Sequence, residues 1–105
     1  MYARNIRIKL KANSALEFSH LIEQKIIPLL RAQNGFRDAV ALVAPQHDEA
    51  MAMSFWDNKA SADAYNHVAY LDVLRILSTV VKTMPVVETF DIIDRGFHED
   101  AANVS

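Results

Sequence analysis

Residues 51–70, MAMSFWDNKASADAYNHVAY, change character half-way along. The first part alternates, with Met51, Met53 and Phe55 set against Ala52, Ser54 and Trp56, the period of two expected of a pleated strand. At Asp57-Asn58 the alternation stops. Both residues have good N-cap side chains, and the alanine-rich run Lys59-Ala60-Ser61-Ala62-Asp63-Ala64-Tyr65 follows directly. A strand ending in an indole therefore passes straight into a helix, which carries Tyr65 and His67 roughly two turns on. A small-molecule pocket in this chain is expected where these elements meet.

Working towards the N-terminus, Phe36 to Ala44 reads as a strand, with Val40 and Leu42 on one face and Ala39, Ala41 and Val43 on the other. The polar turn at residues 45–49 joins it to the strand at 50–56 as a hairpin. Residues 2–10 form another strand, with Ile6, Ile8 and Leu10 opposite Asn5, Arg7 and Lys9. Ser14 and Glu17 match a capping box, opening a helix whose apolar stripe is Leu16, Leu21, Ile22, Ile26, Leu29 and Leu30. Pro28 lacks an N–H and is expected to bend or restart that helix near Ile27; Asn34-Gly35 is expected to end it. Beyond the central stretch, residues 70–83 continue as helix, Met84-Pro85 breaks it, and residues 86–93 form a fourth strand.

The order strand, helix, strand, strand, helix, strand is the split βαβ arrangement. It is an α+β, ferredoxin-like fold in which a four-stranded antiparallel sheet carries both helices on one face. Both strand faces are apolar or small, so the uncovered face calls for a lid. The simplest cover is a second copy of the chain, making a homodimer through the sheet face. Residues 1–94 read as one domain and 95–105 as a polar tail.

Composition narrows the function. The chain has 105 residues, a formal net charge of −2 and eleven scattered Lys and Arg, which argues against a nucleic-acid partner. It has no cysteine, so disulfides, thiolate metal sites and a cysteine nucleophile are excluded. No apolar run has the length of a membrane span or the form of a signal peptide, and the expectation is a soluble cytoplasmic protein. No Walker loop, G-x-G-x-x-G, G-x-S-x-G or H-E-x-x-H is present, and the acidic tail around His98 lacks metal-ligand spacing.

The Pro28-containing first helix, the Asn34-Gly35-Phe36 turn and Phe55-Trp56-Asp57 leading into the helix to Tyr65 together resemble the antibiotic biosynthesis monooxygenase superfamily of dimeric α+β barrels. The resemblance spans residues 4–93. Haem-degrading members look for an Asn on the first strand, a Trp in the second helical region and a haem-ligating His further on. Asn5 matches the first, but Tyr65 and Arg75 stand near the other two places, and a guanidinium cannot ligate iron as imidazole does. The resemblance thus implies the cofactor-independent branch, with no cofactor, no metal and a small aromatic or quinol-type substrate.

On that reading His67 and Tyr65 are the catalytic candidates, and Asn5 and Trp56 the substrate-binding ones. His67 is a base for a phenolic proton, or else a surface residue at a helix junction. Tyr65 donates a phenolic hydrogen bond to a bound oxygen, or else caps the core with its hydroxyl in water. Trp56 stacks on a flat ring, or packs as a large hydrophobe with its N–H bonded nearby. Asn5 reaches a substrate oxygen from one sheet face, or meets partner or solvent from the other. The rival to an enzyme is a non-catalytic dimeric ligand-binding or stress-response module on the same scaffold.

Overall fold

A computed structural model describes residues 1–44 and 46–93. The expected tail at 95–105, with His98, and Pro45 of the hairpin turn lie outside the described residues. The strands are β1 (Tyr2–Lys9), β2 (Phe36–Ala44), β3 (Glu49–Trp56) and β4 (Val86–Asp91). They form one antiparallel sheet in the order β2-β3-β1-β4. The helices are α1 (Ala15–Leu21), α2 (Ile27–Arg31), α3 (Lys59–Val68) and α4 (Tyr70–Leu77), with a π-helical turn, Ile22–Ile26, between α1 and α2. This is the split βαβ fold expected.

Register divides the sheet into two faces, because directly paired residues point the same way. Tyr2, Arg4, Ile6 and Ile8 of β1 share the inner, helix-covered face with Trp56, Ser54, Ala52 and Ala50 of β3. Asn5 and Arg7 share the outer face with Met53 and Met51, and with Glu88 and Val86. The core fills the inner side: Ile6, Ile8, Leu10, Phe18, Ile26, Leu30, Trp56, Val73 and Leu77 are all buried. Val40, Leu42, Met51, Val86 and Phe90 are exposed large apolar residues of the outer face.

Local chemistry departs from the sequence reading in four places. Ser14 does not close a capping box; its Oγ donates to Ala12 O instead (3.4 Å), and no side chain caps α1. Pro28 does interrupt the first helix, but by a wide turn as well as a restart. Ile27 N–H donates to Ile22 O five residues back, and α2 starts with Pro28 in its first positions, where a missing N–H is harmless. The extra residue held in that turn shifts the helical phase upstream of it. Leu16, placed in the core stripe by α-helical counting, is 70% exposed, and Phe18 is fully buried in its stead. Finally, α4 stops at Leu77 rather than 83: Val81 bridges Leu10, Lys11 N–H donates to Val80 O, and Lys82 N–H donates to Lys9 O, so this segment extends β1's pairing.

Gly35 has φ +81°, three residues beyond the Ala32 that caps α2. Its carbonyl accepts the Asp57 N–H (2.8 Å), which ties the turn into β2 to the β3–α3 junction. A Cβ there would land on the Ser61 side chain. Gly35→Ala is expected to lose about 2–3 kcal/mol in urea unfolding, from left-handed strain plus that clash. The double variant with Ser61→Gly should recover only the clash component.

Candidate active site

The β3–α3 junction holds its aromatic residues firmly. Asn58 caps α3, its Oδ1 accepting the Ser61 N–H (2.9 Å), and the Lys59–Asp63 pair follows on the exposed side. Ala62, Tyr65 and Ala69 are buried at three- and four-residue steps, which turns Tyr65 towards the sheet. Tyr65 stacks on Trp56 at 4.9 Å between centroids and 27° between planes, and Phe36 makes an edge-on contact with the indole at 5.5 Å. Trp56 is completely buried; its Nε1–H donates to Ser54 Oγ (2.9 Å), and Ser54 Oγ donates to Arg4 O (3.3 Å).

Arg4 follows Tyr2 and precedes Ile6 on the inner face, and it is only 4% exposed. Its guanidinium lies over the Tyr70 ring at 3.9 Å from the centroid and over Tyr65 at 5.2 Å. It donates to Asn66 Oδ1 (2.8 Å), and no carboxylate among the described residues forms a salt bridge with it. The guanidinium lies over the face of Tyr70 and close to its hydroxyl, yet Tyr70 Oη, which is buried, has no well-aligned hydrogen-bond partner among the described residues.

Beside this cluster, between the inner face and the helices, is a cavity of about 40 Å³. Ile6, Ile22, Ile26, Ile27, Leu30, Val73 and Leu77 give it apolar walls, and Arg4, Ser54 and Tyr65 bring polar groups to it. That space suits water; a ring the size of benzene needs about 150 Å³. Entry of an aromatic ligand therefore requires its walls to move, and Ile22 and Ile26 stand on the π-helical turn.

Of the four candidates read from sequence, only Tyr65 lines this cavity. Trp56 is fully buried, stacks on Tyr65 and is not part of the cavity wall. Asn5 is on the outer face, as β1 register requires, where its Nδ2 donates to Glu88 Oε1 (3.4 Å). His67 lies two residues past Tyr65, about 200° around the helix, and is exposed. Arg4, Ser54 and Tyr70 were missed. Arg4 was accessible to sequence reasoning, since it shares parity with Ile6 and Ile8.

No protein-family model matches the chain, and no curated protein matches it. Solved structures do. The ActVA-Orf6 monooxygenase of Streptomyces coelicolor, in complex with nanaomycin D, superposes with TM-score 0.77 at 9% identity, over 93% of this chain and 92% of that one. SnoaB, a cofactor-independent oxygenase from Streptomyces nogalater, gives 0.73 at 14%, over 90% and 95%. NE2512, a protein of unknown function from Nitrosomonas europaea, gives 0.75 at 15%, over 93% and 94%. The chain has the fold of the antibiotic biosynthesis monooxygenases. No helix among the described residues is long and apolar enough to cross a membrane, and those residues contain no metal-ligating cluster of three.

Burial pushes the Tyr65 hydroxyl up to about 12, against the opposing pull of Arg4, and burial raises Tyr70 as well. Tyr65 is thus a hydrogen-bond donor at neutral pH and no base. The unfolded chain would ionise it near 10, so the stability gained from keeping it neutral is complete below pH 10 and is lost as pH rises through 12. Over that interval unfolding free energy should drop by about 2–3 kcal/mol more in the wild type than in Tyr65→Phe. Denaturation at stepped alkaline pH measures it.

Proposed function

We propose that this protein is a cofactor-independent monooxygenase-like enzyme acting on a small aromatic or quinol-type substrate in the cavity beneath its helices. The observation that carries the reading is an apolar chamber reached by one protonated phenol, Tyr65. Support comes from the fold, shared with one oxygenase described as cofactor-independent and one monooxygenase crystallised with nanaomycin D. In this reading the substrate loses a phenolic proton to solvent. The electron-rich anion reduces oxygen; one oxygen atom stays on the ring as a carbonyl and the other leaves as water. Tyr65 donates a hydrogen bond that orients the substrate oxygen, and the apolar walls keep bulk water from the intermediate. His67, turned to solvent, has no place in this scheme.

Oxygen uptake on a panel of hydroquinones and anthrones, in chelated buffer, tests the reading. Wild type should consume oxygen, Tyr65→Phe should lose about tenfold or more in kcat, and His67→Ala should be unchanged. Loss of activity in His67→Ala would return the base role to it. Uptake on no substrate would favour the second reading, a non-catalytic ligand-binding module, which the small size of the cavity supports.

The homodimer belongs to the same proposal. The exposed Val40, Leu42, Met51, Val86 and Phe90 make an outer face that a second copy would cover. Sedimentation equilibrium at micromolar concentration should give a dimer for the wild type and a folded monomer for Leu42→Glu.

A further inference from the structure

Arg4 is a cation almost fully withdrawn from water, yet the well-formed hydrogen bond its guanidinium makes among the described residues goes to a neutral amide, Asn66 Oδ1. Burying a charge is costly unless a counter-charge and hydrogen bonds replace its water. Two aromatic faces return part of that cost. They satisfy none of the guanidinium's five N–H donors, however. Beside it the buried Tyr70 Oη, which the guanidinium approaches, has no well-aligned hydrogen bond among the described residues. A purely structural arginine would be expected to carry a carboxylate partner, and none is present among the described residues. The same side chain forms part of the cavity wall, next to Tyr65 and Ser54.

We infer that the cavity selects aromatic ligands bearing an anionic oxygen, either a carboxylate or an ionised phenol, which pairs with the Arg4 guanidinium. The inference rests on the reading of the cavity as a ligand site, and it supplies what that reading lacks, a charge preference. A planar guanidinium offers two parallel N–H donors to a carboxylate and one or two to a phenolate, and in a chamber of aliphatic walls such pairing is poorly screened. An uncharged ligand of the same shape would leave the cation as unmatched as it is now.

The test is binding, measured apart from turnover by titration calorimetry with 2,5-dihydroxybenzoate and its uncharged analogue 2,5-dihydroxybenzamide. The acid should bind wild type about tenfold or more tighter than the amide. Arg4→Met should abolish the preference, and Arg4→Lys, charged but without the fork, should shrink it. For the phenolate source, 4-nitrophenol reports its own ionisation: bound to wild type below its solution pKa it should show the spectrum of the anion, and with Arg4→Met it should not. Either preference supports the inference and names the source. It is overturned if wild type shows neither, if either survives Arg4→Met, or if no probe binds saturably. Should Arg4→Met not fold, an unchanged acid-to-amide ratio and an unchanged 4-nitrophenol spectrum in Arg4→Lys overturn it equally. Oxygen uptake with neutral quinols but neither anion preference would sink this inference and leave the proposed reaction standing; the reverse pattern would do the opposite.

Discussion

An indole with no access to water must find a partner for its N–H within the protein, and Trp56 finds it two residues back along its own strand. Ser54 faces the same way because the pleat repeats every second residue, and its Oγ accepts the Trp56 proton while donating to the carbonyl of Arg4 on the neighbouring strand. Left unpaired, that N–H would cost about 1–3 kcal/mol. Satisfied, it lets the buried ring contact both Phe36 of β2 and Tyr65 of α3, so that one side chain joins sheet and helix. Tyr65 then has one place to be, and Arg4 lies against it.

The architecture was legible because each element carries a strong local period. Alternation through Met51 to Trp56 and through Tyr2 to Leu10 marks two strands that the structure pairs along their length. Asn58 was readable as a cap, and it caps. Boundaries held less well where tertiary pairing competes with propensity. Residues 78–82 have helical spacing but lie beside the end of β1, and the bonds from Lys11 and Lys82 take them out of the helix. Ser14 had the right neighbour in Glu17, yet its hydroxyl turns back to Ala12, a local alternative that short polar side chains always offer.

The candidate site was harder to read for a different reason. Side-chain chemistry alone does not separate its residues, and parity along β1 decides between them. Asn5 looked like a ligand-binding amide, but Ile6 and Ile8 point to the helices, so Asn5 points away from them and Arg4 towards them. A charged residue such as Arg4 ordinarily lies at the surface, and the two phenol rings that accept it are 61 and 66 residues further on, beyond any local pattern. The π-helical turn was hidden as well. Proline signals an interruption without saying whether the chain kinks or widens, and the answer moves Phe18 inward and Leu16 out.

Arg4 and Asn5 are consecutive residues of β1, an interior strand of the sheet, one reaching under the helices and the other out through the opposite side. A single peptide plane is common to both. From that plane Asn5 reaches Glu88 across the ladder, while the Arg4 guanidinium reaches Asn66 and the rings of Tyr65 and Tyr70. One interior strand thus furnishes both surfaces, and the alternation of its pleat assigns each of two neighbouring residues to its own.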